Sequence, residues 1–337
     1  GALRGGVSED GVFRPLNATF QIGAGVIQPT PEASDVVAGL DLSGKTVMVT
    51  GGYSGIGFET VKALVSAGAH VHAPGRDLER ARKALDGVVS ASHVDKMDLS
   101  DLNSVDKFAD DFLDRHKKLD LLICNAGIMA CPFEKTAQGF ESQIGVNHFG
   151  HFALIHKLMG ALEAAQGARV VTLSSIGHRI GGIDFEDMHY ENRAYEKWPS
   201  YGQSKTAKAL LAVELDRRGK DKGIRAFSVH PGGIFTPLQR HLANEEMVAL
   251  GWTKEDGSPS DLAAAGFKTP SVGASTTLWA ATSPKLEGLG GLYCNDCNVA
   301  EAVAADSPAM DGVRPWAADQ ELAERLWETT AAQIAAL

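Results

Sequence analysis

The chain has 337 residues, 44% of them apolar, and is long enough for one large domain or two small ones. Lys and Arg number 32 against 42 Asp and Glu, a net charge of −10, and no dense basic run is present, which argues against nucleic-acid binding. No apolar segment is long enough to span a bilayer, and the first residues lack the order of a secretory signal, so we expect a cytoplasmic protein.

Short apolar segments rich in β-branched residues alternate with longer helical patterns from Lys45 onward. The predicted strands span 45–50, 69–74, 88–94, 119–124, 168–175 and 224–230. The predicted helices span 55–67, 78–85, 101–116, 137–164 and 200–218. Because apolar strands that alternate with helices form βαβ units, the pattern predicts an α/β fold, a doubly wound parallel sheet covered by helices on both faces.

Both ends of the chain and one internal segment fall outside this alternation. We expect an N-terminal arm over 1–40, a single domain over 41–300 that includes a substrate lid over 235–270, and a C-terminal tail over 301–337. The arm is rich in Gly, Pro and Ala, and the lid mixes helical pieces with turn signals. The tail carries a helical pattern with three apolar positions that can dock on the body: Leu322, Leu326 and Trp327.

The chain has four cysteines, too few for a disulfide scaffold of this length. Cys294 and Cys297 form a C-x-x-C, a spacing found in zinc and redox sites. A structural zinc site needs four ligands, and no second pair completes the set. We therefore expect no metal site and reduced, structural thiols.

A glycine-rich loop, "TGGYSGIG" (50–57), follows the first predicted strand directly. Gly51, Gly55 and Gly57 permit a tight turn and a close approach of the backbone to a pyrophosphate. The next helix offers free N–H groups and a partial positive charge to that anion. A lone glycine loop is weak evidence, but the strand before it and the helix after it favour a phosphate site.

With six further motifs in the expected order, this loop resembles the short-chain dehydrogenase/reductase family, which binds a nicotinamide cofactor on a Rossmann fold. The resemblance covers about residues 45–293. The further motifs are Asp98-Leu99, "NAG" (125–127), Asn147 in "VNHFGHF", Ser174-Ser175, Tyr201 with Lys205, and "HPGGIFT" (230–236). The predicted cofactor-binding residues are Gly51, Tyr53, Ser54, Gly55, Ile56, Gly57, Arg76, Asp98, Leu99, Asn125, Ala126, Gly127, Tyr201, Lys205, Pro231, Gly232, Ile234 and Thr236.

Tyr201 and Lys205 stand four residues apart in a helical pattern, so their side chains project from one side of the helix. An isolated pair of this kind is more often a half-buried tyrosine beside a solvated lysine. Within the full set of motifs, we expect the Lys205 cation and the positive nicotinamide of the oxidised cofactor to lower the phenol's pKa from its usual value of about 10. Tyr201 would then exchange a proton with the substrate. Neither Tyr190 nor Tyr195 has a lysine four residues later.

The resemblance implies the roles of the other catalytic residues. Lys205 would also bind the hydroxyls of the nicotinamide ribose. Ser175 would donate a hydrogen bond to the substrate oxygen where negative charge develops. Asn147 would fix a local helix distortion and a water that links Lys205 to solvent.

The segment "APGRD" (73–77) at the end of the second strand indicates whether the cofactor is NAD or NADP. NAD sites usually place a carboxylate there, whereas NADP sites offer an arginine. Gly75 stands at the acidic position, Arg76 follows, and Asp77 is suited to cap the next helix. Arg76 can also be an ordinary surface charge, but this logic favours NADP over NAD.

An insert separates Ser175 from Tyr201 by 26 positions and resembles that of retinol dehydrogenases, protochlorophyllide reductases and the WW-domain oxidoreductase. Its aromatic residues either wall an apolar substrate pocket together with the lid or pin the insert to the body, and the sequence leaves both interpretations open. These residues are Phe185, Tyr190, Tyr195 and Trp198. His178 either reaches the substrate or makes loop hydrogen bonds only.

We therefore predict an NADP(H)-dependent oxidoreductase that interconverts an alcohol and a ketone or aldehyde on a bulky, mostly apolar small molecule. One alternative is a C=C double-bond reductase of the protochlorophyllide reductase type. Another is a non-catalytic NADP-binding sensor, against which the intact set of catalytic residues argues. Family members often form homodimers through two long helices, here 137–164 and 200–218, and the arm and tail can block or extend that contact.

Overall fold

The computed structural model describes residues 30–337 and, before them, the backbone of two short strands. These strands, β1 (Gly6–Val7) and β2 (Phe13–Arg14), pair antiparallel. The rest of the predicted arm before residue 30 lies outside the described residues.

A seven-stranded sheet forms the centre of the fold. Its strands are β3 (Thr46–Val49), β4 (His70–His72), β5 (Leu121–Cys124), β6 (Ala168–Leu173), β7 (Ile224–His230), β8 (Leu292–Asn295) and β9 (Asn298–Val299). They are ordered β4-β3-β5-β6-β7-β8-β9, and every neighbouring pair is parallel except β8 with β9. The predicted Rossmann-type parallel sheet is confirmed. From β3, the next strand in the chain (β4) is added on one side and all later strands on the other, and α/β folds bind their ligands at such a switch point between two strands, here β3 and β5.

Helices cover both faces of this sheet. They are α1 (Ala33–Val37), α2 (Gly55–Ser66), α3 (Leu78–Leu85), α4 (Leu102–Arg115), α5 (Ser142–Ile144), α6 (His151–Ala164), α7 (Lys197–Gly219), α8 (Asn244–Ala249), α9 (Asp261–Gly266), α10 (Pro270–Thr282) and α11 (Gln320–Ala335). Alternate residues of β3 face opposite sides: Met48 joins the core under α4, α6 and α7, whereas Val47 and Val49 join the core under α2 and α10. Both faces are therefore buried, as the continuous apolar strands predicted.

Two predicted elements differ from the structure, and two strands were not predicted. No strand forms over 88–94: Val88 and Val89 pack at the end of α3, and the chain after β4 pairs with this region only through the hydrogen bond from Ala73 N–H to the His93 carbonyl oxygen and the bridge Gly75–Lys96. The helix predicted from 137 begins only at Ser142, because the Glu141 side chain accepts hydrogen bonds from the N–H groups of Gln143 and Ile144 and so caps it there. The sequence also gave no prediction of strands β8 and β9.

The short helix α1 and the tail helix α11 both pack on the body of the fold. Ala33 and Val37 of α1 are buried against α2 and α10. Helix α11 packs along α7, and its Trp327 ring meets Phe152 of α6 edge-on at 4.7 Å. Of the apolar positions predicted to dock the tail, Leu326 and Trp327 are buried in the core and Leu322 packs half-buried against it.

Candidate active site

The glycine-rich loop joins β3 to α2, and its shape requires glycine. Gly51 and Gly55 have φ values of 64° and 54°, the left-handed region that side chains disfavour. A Cβ atom on Gly57 would overlap the carbonyl oxygen of Gly51. The Ser54 side chain does not cap the start of α2, which leaves the first-turn N–H groups without this partner and makes the loop a candidate cradle for a phosphate group.

The end of β5 closes this cradle from the neighbouring strand. The Asn125 side-chain amide donates to the carbonyl oxygens of Thr50 and Gly51, at 2.9 and 3.2 Å. The Ala126 N–H donates to the Thr50 hydroxyl at 3.0 Å. Gly127 lies against the catalytic candidates, since a Cβ atom there would be 3.2 Å from Asn147 Oδ1. The "NAG" motif thus connects the glycine loop to the predicted catalytic residues.

The end of β4 has the features that the sequence predicted for the ribose end of a cofactor site. Gly75 packs so closely under Tyr53 that a Cβ atom would lie 2.9 Å from the ring. Asp77 Oδ1 accepts a hydrogen bond from Arg80 N–H and caps α3, as predicted. Arg76 is exposed and forms no ion pair within residues 30–337.

Asp98 and Leu99 lie on the loop that leads into α4. The half-buried Asp98 carboxylate accepts hydrogen bonds from both the N–H and the hydroxyl of Ser100. Leu99 contributes its side chain to the core, and its carbonyl oxygen lies against Gly150. These contacts fix the loop next to the carboxyl end of the sheet.

Tyr201 and Lys205 both lie on α7 and are both buried, with 4% of each residue exposed. The Lys205 ammonium lies 5.6 Å from the centroid of the Tyr201 ring and donates to the Leu173 carbonyl oxygen at the end of β6. Ser175 follows that strand, and Gly177 packs on the phenol ring so closely that a Cβ atom would lie 2.8 Å from it. The structure therefore brings the predicted tyrosine, lysine and serine together.

Asn147 completes this group from a distorted stretch of helix. A π-helical segment, Gly145–Gly150, precedes α6, and Asn147 is fully buried within it. Its side chain exchanges two hydrogen bonds with the backbone of Ile128 and donates a third to the Ser204 hydroxyl. A helix distortion at Asn147 is what the family resemblance implied.

Burial dominates the protonation of the central pair. It raises the pKa of Tyr201 to about 12, although a hydrogen bond from Ser175 opposes the rise. Burial, reinforced by repulsion from Lys208, lowers the pKa of Lys205 to about 7. In the protein without cofactor, Lys205 therefore does not lower the pKa of the Tyr201 phenol, because burial leaves the lysine only partly protonated at neutral pH.

The segment after β7 packs over the glycine loop. Gly232 has a φ value of 96°, Pro231 is half-buried beside it, and Ile234 is buried. The Thr236 methyl group lies 3.3 Å from the position of a Cβ atom on Gly55. The predicted nicotinamide segment therefore lies against the glycine loop, and His230 at its start accepts a hydrogen bond from Ile176 N–H beside Ser175.

An apolar wall stands beside Tyr201. Its members are Met129, Ala130, Trp198, Leu238, Leu242, Met247 and Trp252. The Trp198 ring meets the rings of Tyr201 and Trp252 edge-on, at 6.0 and 6.2 Å. Glu246, in the segment predicted as a lid, accepts hydrogen bonds from Trp198 Nε1 and from Lys197, which ties this segment to the start of α7.

The other insert aromatics pin the insert to the body. Tyr190 and Tyr195 pack edge-on at 5.1 Å, and the Tyr195 hydroxyl donates to the Cys131 carbonyl oxygen. Phe185 lies under the guanidinium of Arg325 at 4.1 Å. Of the four aromatics named from the sequence, Trp198 alone joins the wall beside Tyr201, and its partner Trp252, in the predicted lid, was not singled out.

His178 makes loop hydrogen bonds and connects the serine loop to the tail. Its Nδ1 lies 2.7 Å from the Ser175 carbonyl oxygen, and its Nε2 accepts a hydrogen bond from Arg314 N–H. Its own carbonyl oxygen accepts from Trp316 Nε1. Because both ring nitrogens have partners, His178 stabilises the serine loop, and no sequence pattern predicted these contacts with the tail.

The C-x-x-C is a hairpin turn. Cys294 lies buried in β8, and Asp296 and Cys297 form the turn to β9 with φ values of 49° and 52°. All four cysteines are free, and within the described residues no three His, Cys, Asp or Glu side chains are grouped to hold a metal ion. None of the helices in this part of the chain has the length and apolar character needed to cross a membrane.

Comparison with known proteins identifies the family. The family model for short chain dehydrogenases matches residues 45–247. The chain belongs to the short-chain dehydrogenase family. A protein of Streptomyces lividans named as an oxidoreductase is 41% identical over 302 residues, which cover 88% of this chain and all of the relative. Human retinol dehydrogenase 12 is 38% identical over 296 residues and 86% of each chain.

Solved structures agree with this assignment. The crystal structure of an uncharacterised protein from Mycobacterium paratuberculosis superposes with a TM-score of 0.68 at 32% identity, covering 90% of this chain and 97% of that chain. The family and its named relatives establish an NAD(P)-dependent short-chain dehydrogenase/reductase that is related to the retinol dehydrogenases. The identity of the substrate and the choice between NADP and NAD are separate questions.

Proposed function

We propose that the enzyme interconverts an alcohol and a ketone or aldehyde on a bulky, mostly apolar substrate, with Tyr201 as the acid/base. The observation that carries this proposal is the buried Tyr201–Lys205 pair. Tyr201 packs in the apolar wall with Trp198 and Trp252, and Lys205 lies near Gly127 of the "NAG" motif. A substrate against that wall would present its oxygen to the phenol and would exclude water from it.

Each residue of the group has a distinct task in this mechanism. During reduction, Tyr201 gives its hydroxyl proton to the substrate oxygen, and during oxidation it takes that proton back. Ser175 donates a hydrogen bond to the same oxygen as charge develops there. Lys205 would hold the cofactor ribose and, while the lysine is protonated, would stabilise the phenolate. Asn147 keeps the π-helical segment in place beside them.

The glycine loop suits a nicotinamide dinucleotide, because Gly51 and Gly55 adopt left-handed φ values and Gly57 leaves no room for a Cβ atom beside the Gly51 carbonyl oxygen, so the backbone at the start of α2 stays bare. When bound, such a cofactor supplies or accepts the hydride and, when oxidised, adds a positive charge beside Tyr201. That charge opposes the rise in the pKa of Tyr201 that burial causes. The predicted binding residues after β3, β5 and β7 would hold it.

We propose NADP as the preferred cofactor. The exposed Arg76 is without an ion-pair partner in residues 30–337, and Asp77 is already engaged in capping α3. An arginine at the end of this strand can bind the 2′-phosphate of NADP, whereas no carboxylate stands at the Gly75 position to bind the 2′-hydroxyl of NAD.

The test is turnover of all-trans-retinal, steroid ketones and aromatic ketones with NADPH, measured by the loss of nicotinamide absorbance and by identification of the product. We expect the corresponding alcohol as product. We also expect Tyr201→Phe to lose at least about 1,000-fold in kcat/KM, because the proton donor is gone, while NADPH binding stays within about threefold.

Tyr190→Phe is the matched control, since it removes the hydroxyl of a tyrosine that packs away from the wall in the insert. It should leave the rate within about twofold. Turnover by Tyr201→Phe close to that of the wild type would contradict the mechanism. A saturated C–C bond in the product would instead support the double-bond reductase alternative.

A further inference from the structure

Lys208 is a second buried lysine one turn beyond Lys205 on α7. It is fully buried, and its ammonium donates to the Cys124 carbonyl oxygen at the end of β5, at 2.8 Å. Lys205 donates to the Leu173 carbonyl oxygen at the end of β6. Because β5 and β6 are neighbouring strands and Cys124 lies opposite Thr172, the two amines are held at adjacent points on the carboxyl edge of the sheet.

A histidine links Lys208 to the glycine loop. The Lys208 amine lies 3.0 Å from His151 Nδ1, and His151 Nε2 lies 2.8 Å from the Thr50 hydroxyl. Thr50 in turn accepts the hydrogen bond from Ala126 N–H. Lys208 is therefore fixed by three elements, α7, α6 and the end of β5, and its amine has little freedom to move away from Lys205.

No carboxylate compensates these two amines, and within residues 30–337 neither lysine forms an ion pair. The titratable groups that face them are Tyr201, Cys124, His148, His151 and His230. Burial keeps each of these groups neutral near pH 7, because it raises the pKa of the phenol and thiol and lowers the pKa of the histidines. The charge of Lys208 therefore acts on Lys205 without an intervening opposite charge.

Repulsion between close buried charges is strong because the surroundings screen it little. Repulsion from Lys208 is the second cause, after burial, of the lowered pKa of Lys205. The pKa of Lys208 itself is lowered by burial to about 8, so it is mostly protonated at neutral pH. Removing this charge should let Lys205 keep its proton to higher pH.

We propose that Lys208 is a positioning residue for proton transfer, whose buried charge sets the pH at which Lys205 releases its proton. The inference rests on the proposed roles of Tyr201 and Lys205. Lys208 touches neither reacting group, and it acts through Lys205. In reduction, the activity falls on the alkaline side when Lys205 becomes neutral and no longer stabilises the phenolate that proton donation leaves.

Three substitutions separate the charge of Lys208 from its structural contacts. Lys208→Gln removes the charge and keeps a hydrogen-bond donor for the Cys124 carbonyl oxygen. Lys208→Met removes both, and Lys208→Arg keeps the charge. Lys220→Met, which removes an exposed charge at the end of the same helix, is the matched control.

The assay is the pH profile of kcat/KM for reduction of all-trans-retinal by NADPH from pH 6 to 10. We expect the alkaline midpoint to rise by about half a unit in Lys208→Gln and Lys208→Met, with the largest gain in relative activity at about pH 7 to 8, because above that range the wild-type Lys208 is itself neutral. The Lys208→Arg and Lys220→Met variants should keep the wild-type midpoint. A purely structural role predicts instead an impaired Lys208→Met, a normal Lys208→Gln and no shift, which would overturn the proposal.

NADPH binding, followed by fluorescence over the same pH range, gives a second readout. Because Lys205 is proposed to hold the ribose, the affinity for NADPH should fall at a pH about half a unit higher in Lys208→Gln than in the wild type. If the wild type binds NADPH but reduces no retinal, this shift still decides the role of Lys208. If the wild type fails to bind NADPH, the proposed function fails and the inference falls with it.

Discussion

His72 offers a direct test of how burial sets the pH dependence of this fold. It lies on β4 with 1% of the residue exposed, and both ring nitrogens are without a hydrogen-bond partner among the described residues. Its ring packs against those of His93, Phe112 and His116. Burial, with repulsion from neighbouring basic groups, lowers the pKa of His72 from 6.5 to about 3.

The sign of the effect on stability follows from this direction. Because the pKa in the folded state lies below that in the unfolded chain, the contribution of neutral His72 is present above pH 6.5 and is lost as the pH falls toward 3. One pKa unit corresponds to about 1.4 kcal/mol, so a fall from pH 7.5 to 5 costs about 2 kcal/mol through His72 alone. His93 and His116, whose pKa values burial also lowers, act in the same direction.

Substitution of His72 by Phe keeps a ring of similar size and removes the titrating group. Urea titrations should show a free energy of unfolding that falls by about 2 kcal/mol less between pH 7.5 and 5 in His72→Phe than in the wild type. At pH 7.5 the variant should be about 1 kcal/mol more stable, because two unsatisfied nitrogens are gone. His70→Phe, on the exposed start of the same strand, is the control. Equal pH dependence in the wild type and His72→Phe would refute the reasoning.

Two further substitutions test the cofactor assignment and the tail. Arg76→Ala should weaken NADPH binding at least about tenfold and NADH binding less than about twofold, because only NADPH carries the 2′-phosphate. Fluorescence titrations check this against the exposed Arg80→Ala, and equal losses for both cofactors would remove the NADP assignment. Trp327→Ala should lower the free energy of unfolding by about 3 kcal/mol, since its ring is buried on Phe152. The exposed Leu337→Ala should change it by less than about 0.5 kcal/mol, and a similarly small loss in Trp327→Ala would contradict the docking of α11.

The features that the sequence predicted correctly are encoded by neighbouring residues. The glycine loop follows its strand directly, and the left-handed φ values of Gly51 and Gly55 are a local requirement that glycine satisfies. Asp77 caps α3 through its own first turn. The alternation of apolar strands with helices was sufficient to predict the parallel sheet, because each βαβ unit buries both faces of its strands.

The features that the sequence missed depend on distant contacts. The sequence around Val88 and Val89 resembles a strand, but in the fold both residues pack, partly buried, at the end of α3. Strands β8 and β9 follow the predicted lid in the chain, and β8 extends the sheet by pairing with β7. The His178 loop is held by Trp316, 138 positions away, and no local pattern records that hydrogen bond. Such long-range packing overrides local propensity.

The motif of Tyr201 and Lys205 identifies the participants in proton transfer but not their charges. One helical turn guarantees that the two side chains are close. Whether closeness lowers the pKa of the phenol depends on the lysine being charged, and burial disfavours charge on both groups. Lys208, which belongs to no motif, adds a second unpaired charge and weakens the proton affinity of Lys205 further. The site is therefore an electrostatic arrangement of the folded protein, in which a pair that looks complete in the sequence draws its pH dependence from a third residue.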